Sequence, residues 1–409
     1  MSTCITYAGT PSPRPPDGGA REPIMARAEP GTEREPGGKP RICFVAPTAW
    51  PILAGSTEIP VVGGAEVQQT FIARALVQRG YRVSMICHDY GQPDRVVVDG
   101  ITVLRAHRPD EGLPVLRFVH PRMTAMWHAL KRANADVYYQ RTADVLTTLV
   151  AFFCKVHGKR SIYAAASDLD FVPGKEEIDL GRDRVIYRYG LRRMDRIVVQ
   201  NPAQSRECKR VYGLDSTLIP SCCVPPQGAH HDRRGYVLWV ARMGPSKRAE
   251  MALEVARRLP RHRFVIVGGP GDGGEAQFEA MQREAARLGN VEMLGFVPFA
   301  EVDTYFDGAR VLLNTSTHEG FPNTFLQAWA RGIPTVSFID TASREDGEPV
   351  TSIAKEADLD DAAARVDRLM TDDLAWQQAS QRCVRHFRRV HSVDAMLTGY
   401  EHLLAGLSR

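Results

Sequence analysis

Two cations and one carboxylate stand out as side chains suited to a charged, hydroxyl-rich substrate. Arg242 and Lys247 lie five apart in a loop directly after the apolar run Tyr236 to Val240, and a helix is expected from Arg248 to Leu259. Two positive charges between a strand end and a helix start are placed to hold a diphosphate and to stabilise its charge as it departs. The second stretch, Thr315 to Pro334, reads TSTHEGFPNTFLQAWARGIP. Its tip is His318-Glu319-Gly320-Phe321. Ionised Glu319 only accepts hydrogen bonds, which suits sugar hydroxyls, and Gly320 lets backbone approach a ligand closely. Pro322 fits a first helical turn, and Asn323 and Gln327, four apart, share one helix face and could address one ligand. The plainer readings are two solvated loop charges, and a carboxylate complementing a helix dipole for about 0.3 to 1 kcal/mol. The convergence of both stretches in one half of the chain favours binding.

The elements that must position these groups follow from periodicity. Ala309 to Leu313 and Thr335 to Phe338 are strand-like, with a helix between them that Gly332 and Pro334 terminate. That is a crossover joining parallel strands, and such units bind ligands past the carboxyl ends of the strands. Arg41 to Pro47, the glycine turn Gly63-Gly64, a helix from Glu66 to Gly80 and Tyr81 to Cys87 open a similar domain. Gly63 and Gly64 could admit a phosphate or an acceptor, although tight turns need glycine for steric reasons alone. Further strand and helix units run to Ile219, and Cys223 to Gly235 reads as a linker. A final helix from about Val393 to Leu407 carries a full apolar stripe and must pack on something.

Two motifs compete for attention. Gly269 to Gly274 fits GxGxxG before a helix from Glu275 to Leu288, with Glu292 at the distance of a ribose-binding acid. A lone match is weak, and the chain offers no hydride-transfer site. Asp168 and Asp170 form a DxD, but the same DLD recurs at Asp358 to Asp360, so no metal is assigned.

The Thr315 to Pro334 stretch resembles the donor-sugar motif of the retaining glycosyltransferases of family 4, also called group 1, whose two-domain fold is GT-B. In that family a Glu that contacts the sugar precedes by eight positions a second Glu that contacts the ribose. Glu319 matches the first; the second falls on Gln327, which brings no charge. Arg242 and Lys247 resemble the family's diphosphate-binding pair. Gly63 and Gly64 resemble its cleft-facing glycine turn, Gly268 and Gly269 its glycine-rich nucleotide loop, and Phe296 and Val297 the segment that meets the base. Many relatives carry a His near the reacting sugar where this chain has Ala165-Ala166-Ser167-Asp168. The resemblance implies a hexosyltransferase acting with retention, with Arg242, Lys247 and Glu319 as catalytic residues. It implies a UDP-, GDP- or ADP-sugar as substrate, no cofactor, no metal requirement, and an acceptor in a cell-surface glycan or glycolipid pathway.

The implied fold class is α/β, two doubly wound Rossmann-like domains facing a cleft. The expected division is a disordered tail over 1–40, an acceptor-side domain over 41–222, a linker over 223–235, a donor-side domain over 236–390 and a crossover helix over 391–409 that returns to the first domain. A chain of 409 residues with 44% hydrophobic content can build two such cores. Its net charge of +4 does not argue for nucleic acid. Eight scattered cysteines without a CxxC pair read as reduced core residues of a cytoplasmic protein. No apolar run approaches the roughly 18 residues of a membrane span. Leu116, Phe118, Val119, Met123, Met126 and Trp127, mixed with Arg117, Arg122, Lys131 and Arg132, suggest either a helix packed on the sheet or a basic surface for peripheral contact with a membrane and a lipid-linked acceptor. A nucleotide-sugar-binding protein without turnover, a sugar-nucleotide epimerase and an NAD(P)-dependent oxidoreductase using Gly269 to Gly274 are the rival functions.

Overall fold

The computed structural model describes residues 25–26, 38–56, 63–109, 111, 118–224, 235–271 and 274–407. In the first domain the strands are β1 (Met25–Ala26), β2 (Ile42–Val45), β3 (Val83–Cys87), β4 (Arg95–Val98), β5 (Ile101–Arg105), β6 (Val137–Arg141), β7 (Arg160–Ala164), β8 (Arg196–Val199) and β9 (Thr217–Leu218). They form one sheet in the order β1-β4-β5-β3-β2-β6-β7-β8-β9. The helices are α1 (Trp50–Leu53), α2 (Gly64–Gln78), α3 (Thr124–Ala133), α4 (Leu146–His157), α5 (Gly181–Leu191) and α6 (Pro202–Glu207). From β2 the chain winds outward to β3 and β5, then returns to β6 on the other side of β2. The gap between β2 and β6 is therefore the switch point, where a doubly wound sheet opens a crevice for ligands.

The second domain repeats the plan. Its strands are β10 (Tyr236–Val240), β11 (Phe264–Val267), β12 (Val291–Gly295), β13 (Ala309–Asn314), β14 (Thr335–Ser337), the hairpin of β15 (Arg344–Glu345) with β16 (Glu348–Pro349), and β17 (Ser352–Ile353). The main sheet runs β12-β11-β10-β13-β14-β17, all parallel, so its switch point lies between β10 and β13. Strands buried on both faces are mainly apolar, and ARVLLN is buried along its whole length, with its one charged residue, Arg310, paired to Asp373 at 2.7 Å. The helices are α7 (Ala249–Arg258), α8 (Glu275–Leu288), α9 (Phe299–Asp307), α10 (Asn323–Ala330), α11 (Leu359–Thr371) and α12 (Asp373–His386). The last helix, α13 (Val393–Ala405), leaves the second domain and buries Met396, Leu397, Tyr400, Leu403 and Leu404 among Ile42, Phe44 and Val137 of the first. Its apolar stripe has found the first domain's core, and the Tyr400 hydroxyl lies 3.1 Å from that of Tyr139.

The structure differs from the sequence reading in several places. Within the stretch expected to be a disordered tail, Met25–Ala26 pairs antiparallel with Val97–Val98, because the exposed edge of β4 offers unpaired backbone groups. The loop after β2 contains α1, and β4, α5 and α9 are additional elements. Helix α5 buries only Tyr187, Gly190 and Leu191 of an arginine-rich sequence, too narrow a stripe for a clear helical period. The expected linker is described only at 223–224 and 235, and Leu116 and Arg117 lie outside the described residues.

Candidate active site

The loops leaving the two strands at the second domain's switch point are zipped together. Trp239 Nε1 donates to Thr315 Oγ1 (2.9 Å), and Thr315 Oγ1 donates to the carbonyl of Lys247 (2.6 Å). The Thr317 amide donates to the Ser246 carbonyl (2.9 Å). Arg248, with a left-handed φ of 49°, caps the start of α7 and donates to the carbonyls of Thr315 (2.7 Å) and Ser316 (3.2 Å). Arg248 was missed in the sequence because nothing in a lone arginine beside Lys247 signals a clamp on a loop some 70 residues away.

This zipper sets Lys247 Nζ 2.5 Å from Glu319 Oε1, which also accepts from Ser316 Oγ at 2.7 Å. Arg242 is exposed and has no ion-pair or hydrogen-bond partner among the described residues, so its charge is available to a ligand. Behind these groups, Gly268 has φ 149° and a side chain there would meet the Ala241 carbonyl at 1.8 Å. Gly269 lies against the backbone and Cβ of Phe296, a residue 41% exposed and so open to a flat ligand group, with Val297 half-buried beside it. Glu292 stands near the start of β12 and is bound by Arg263 at 2.5 Å, at the other end of β11 from the glycine loop that follows Val267, whereas a ribose-binding acid sits past the carboxyl end of its strand. Asp272 and Gly273 lie outside the described residues.

The first domain reaches this site directly. Asn323 Nδ2 donates to the Gly64 carbonyl (3.0 Å), and Gln68 Nε2 donates to Asn323 Oδ1 (2.9 Å). The Gly320 carbonyl accepts from Asn201 Nδ2 (3.0 Å), which also donates to Asp168 Oδ1 (2.9 Å). Burial raises the Asp168 carboxyl above its usual range against the opposing hydrogen bonds of Asn201 and Gln204, and the charges of His318 and Glu319 act on it. Asp170 points elsewhere: its Oδ2 accepts from Tyr163 and from the Ala166 amide, and burial pushes it up to about 6. The two carboxylates of the DxD thus serve separate networks. Among the described residues no group of three or more His, Cys, Asp or Glu side chains is placed to hold a metal.

Each half of the chain matches a family description. Residues 62–223 match "Glycosyltransferase Family 4" and residues 234–372 match "Glycosyl transferases group 1". The chain belongs to the family 4, group 1 glycosyltransferases. The D-inositol 3-phosphate glycosyltransferase of Mycolicibacterium smegmatis is 27% identical over 180 residues, 41% of this chain and 40% of that protein. The O-antigen chain mannosyltransferase B of Escherichia coli is 26% identical over 150 residues, 36% of this chain and 39% of that one. These alignments span about two fifths of the curated relatives' length. Among solved structures, sucrose-phosphate synthase from Thermosynechococcus elongatus superposes with a TM-score of 0.71 at 16% identity, covering 90% of this chain and 99% of that one. Anabaena HepE in complex with UDP-glucose gives 0.66 at 14% identity, covering 90% and 100%. These likenesses establish the GT-B fold.

Within this family 4 chain the site residues fall into two sets. Arg242, Lys247, Glu319, Gly268, Gly269, Phe296 and Gly320 surround one switch point, with Gly63 and Gly64 opposite. Four others are placed differently from the sequence reading. Phe321 is buried against Trp329 (ring centroids 5.8 Å) and His391 (4.7 Å), so its ring anchors the loop from behind. Pro322 is the cap of α10 rather than its first residue. Asn323 and Gln327 share a helix face but not a partner: Asn323 ties the domains together, whereas Gln327 Nε2 lies 3.5 Å from Asp303, beside the Arg331–Asp303 and Arg331–Asp307 pairs. His391, which backs Phe321, is pushed down to about 3 by burial and stays neutral, with Nδ1 donating to the Ser221 carbonyl at 2.7 Å.

Proposed function

We propose that this chain moves a sugar from a nucleoside-diphosphate sugar to an acceptor hydroxyl with retention of configuration, in the assembly of a cell-surface glycan or glycolipid. The observation that carries the reading is the Lys247–Glu319 pair at the switch point with Arg242 unengaged beside it. The bond from the anomeric carbon to the diphosphate oxygen breaks as the acceptor oxygen bonds that carbon on the same face, and the acceptor's proton passes to the departing phosphate. Arg242 and Lys247 stabilise the charge left on the diphosphate, and Glu319 accepts hydrogen bonds from the sugar hydroxyls. The resemblance to a protein solved in complex with UDP-glucose, to a D-inositol 3-phosphate glycosyltransferase and to an O-antigen chain mannosyltransferase supports donor and pathway class.

The test is a thermal-shift screen against UDP, GDP, ADP and NAD(P). A ligand at 100 times its dissociation constant adds about 2.7 kcal/mol to the state that binds it. We expect one nucleoside diphosphate to raise the melting temperature and Arg242→Ala to remove the rise. A shift by NAD(P) alone would overturn the reading, and turnover in an acceptor screen separates a transferase from a binding protein.

We further propose that the acceptor domain touches an anionic membrane surface through α3, α4 and α5. Phe152 and Val156 on α4, and Val185 and Tyr189 on α5, are large apolar side chains left exposed. The three helices carry a single acid, Asp183, which Arg182 pairs at 2.8 Å, and Arg188 is held by Glu176 at 2.6 Å, which leaves Lys131, Arg132, Lys155 and Arg184 without an ion pair among the described residues. Apolar knobs among cations complement anionic headgroups. Among the described residues no helix is long and apolar enough to cross a membrane. Flotation with phosphatidylglycerol vesicles, but not with phosphatidylcholine vesicles, is expected, and loss on F152S/Y189S. Equal behaviour with both lipids, or a concentration-dependent dimer that the double variant abolishes, would assign the face to another occupant.

A further inference from the structure

The first domain's own switch point holds a cation that the fold does not neutralise. Three described arginines are almost fully buried: Arg141, Arg310 and Arg331. Arg310 pairs with Asp373 at 2.7 Å, and Arg331 pairs with Asp303 at 2.9 Å and Asp307 at 2.7 Å. Arg141 has no carboxylate within ion-pair reach among the described residues, and the one hydrogen bond of its side chain there is a long one, 3.4 Å from Nη1 to the Tyr139 hydroxyl. Its Nε is buried without a partner. A guanidinium cannot shed its proton, so a buried one without an anion is unfavourable for the fold by itself.

The position of this charge is fixed with some strain. Arg141 ends β6, which lies between β2 and β7. Gly63-Gly64 leads into the helix after β2, and Ala165 to Asp168 follows β7, so Arg141 stands at the crevice between the two loops that meet the donor domain. The next residue, Thr142, is β-branched yet has φ 80°, a conformation that persists only where surrounding structure enforces it. Gln140 supplies that enforcement: its Nε2 donates to the carbonyls of Arg141 (2.8 Å) and Thr142 (2.7 Å), and its Oε1 accepts from Thr147 (2.9 Å). Arg141 is near enough to Cys222 for its charge to act on that thiol, and Cys222 is bound through its backbone to Gln68, the residue that holds Asn323. Close by along the chain, Ser221 Oγ is also buried without a partner. Asp170, whose charge is felt at Arg141, is already engaged by Tyr163, Ala166 and Ser167.

We propose that Arg141 is the receptor for an anionic group on the acceptor, a phosphate or carboxylate that enters the crevice between β2 and β6 and completes this site. This deepens the transferase reading and rests on it for the word acceptor. Neutral polyols lacking that group are poor ligands of the first domain, and the reaction that supplies the acceptor must be one that installs or leaves an anionic substituent, such as a phosphorylation or an oxidation to a uronic acid.

The experiment titrates the full chain, saturated with whichever nucleoside diphosphate the thermal screen selects, with glucose 6-phosphate, glycerol 3-phosphate, glucuronate and inorganic phosphate, and with glucose and glycerol as neutral partners. We expect saturable binding of at least one anionic probe, weakened about tenfold or more in Arg141→Met, in line with loss of a hydrogen bond to a charged group, and largely kept in Arg141→Lys. The phosphorylated probes and glucuronate distinguish the two anion sources. Arg141→Met should also melt higher than the native chain, since it removes an uncompensated buried charge, whereas an arginine with a purely structural role would melt lower when replaced. No response to any anionic probe, equal affinity for charged and neutral partners, or a lower melting temperature in Arg141→Met with unchanged probe binding would overturn the proposal. If no nucleoside diphosphate binds, the transferase reading fails, but phosphate binding lost in Arg141→Met and retained in Arg242→Ala would still identify the anion site.

Discussion

Lys247→Ala is expected to lower turnover at saturating donor by about 10² to 10³ while leaving the fold intact. A preorganised donor aimed at developing negative charge is typically worth that much when removed from a water-poor site. The same group contributes little to stability. Its pair with Glu319 is partly exposed, with side chains 28% and 17% accessible, and such pairs are worth roughly 0 to 1 kcal/mol. Activity and melting temperature should therefore separate, with a large loss in the first and a change of a degree or two at most in the second. Lys247→Arg keeps the charge but not the compact geometry, and should recover part of the loss. Glu319 holds the ammonium group at 2.5 Å, so a diphosphate that takes up Lys247 competes with Glu319 for it. Glu319 keeps Ser316 as a second donor, which leaves it oriented when Lys247 is removed. Turnover within about twofold of the native chain would remove Lys247 from the leaving-group role.

How much of this was legible in the sequence depended on whether a property is local. Strands such as ICFV and ARVLLN are buried along their length, so an apolar run alone identified them. The Arg242–Lys247 and Thr315–Pro334 loops could be paired because both directly follow such strands, and carboxyl ends of neighbouring parallel strands share one crevice. The ring of Phe321 could not be placed, because a phenylalanine on a loop tip looks the same whether it faces a ligand or, as here, Trp329 and His391 contributed from later in the chain. Gln327 is similar: helical spacing put it on the face of Asn323, but only the packing of α9 beside α10 brings Asp303 within its reach. Arg141 was invisible for a third reason. Its significance lies in the carboxylate it lacks, and an absent partner can be recognised only when every neighbour is known.

Gly320→Ala should reduce turnover by about 10² without preventing nucleotide binding, because its clash lies between the domains rather than within one. A side chain at Gly320 would sit 2.1 Å from the carbonyl oxygen and 2.8 Å from the carbonyl carbon of Ala166, and 3.2 Å from the Ser167 Cα. All three are backbone atoms of the first domain, so no rotamer change relieves the overlap; the domains must separate or one loop must shift. The bond from Asn201 to the Gly320 carbonyl would go with it. Lys247, Glu319 and Arg242 all belong to the second domain and keep their mutual geometry, so a nucleoside diphosphate should still raise the melting temperature. What is lost is the approach of the acceptor, and a displacement of about 1 Å at a reacting centre is enough for a hundredfold loss. Gly268→Ala provides the contrast. There the overlap, 1.8 Å to the Ala241 carbonyl, and the φ of 149° are internal to the second domain, so stability and nucleotide binding should fall together. Small-angle scattering should report a larger radius of gyration for Gly320→Ala than for the native chain under the same nucleotide. Native turnover in Gly320→Ala would mean that catalysis does not pass through the close approach of Gly320 to Ala166, and that the cleft works in a more open arrangement.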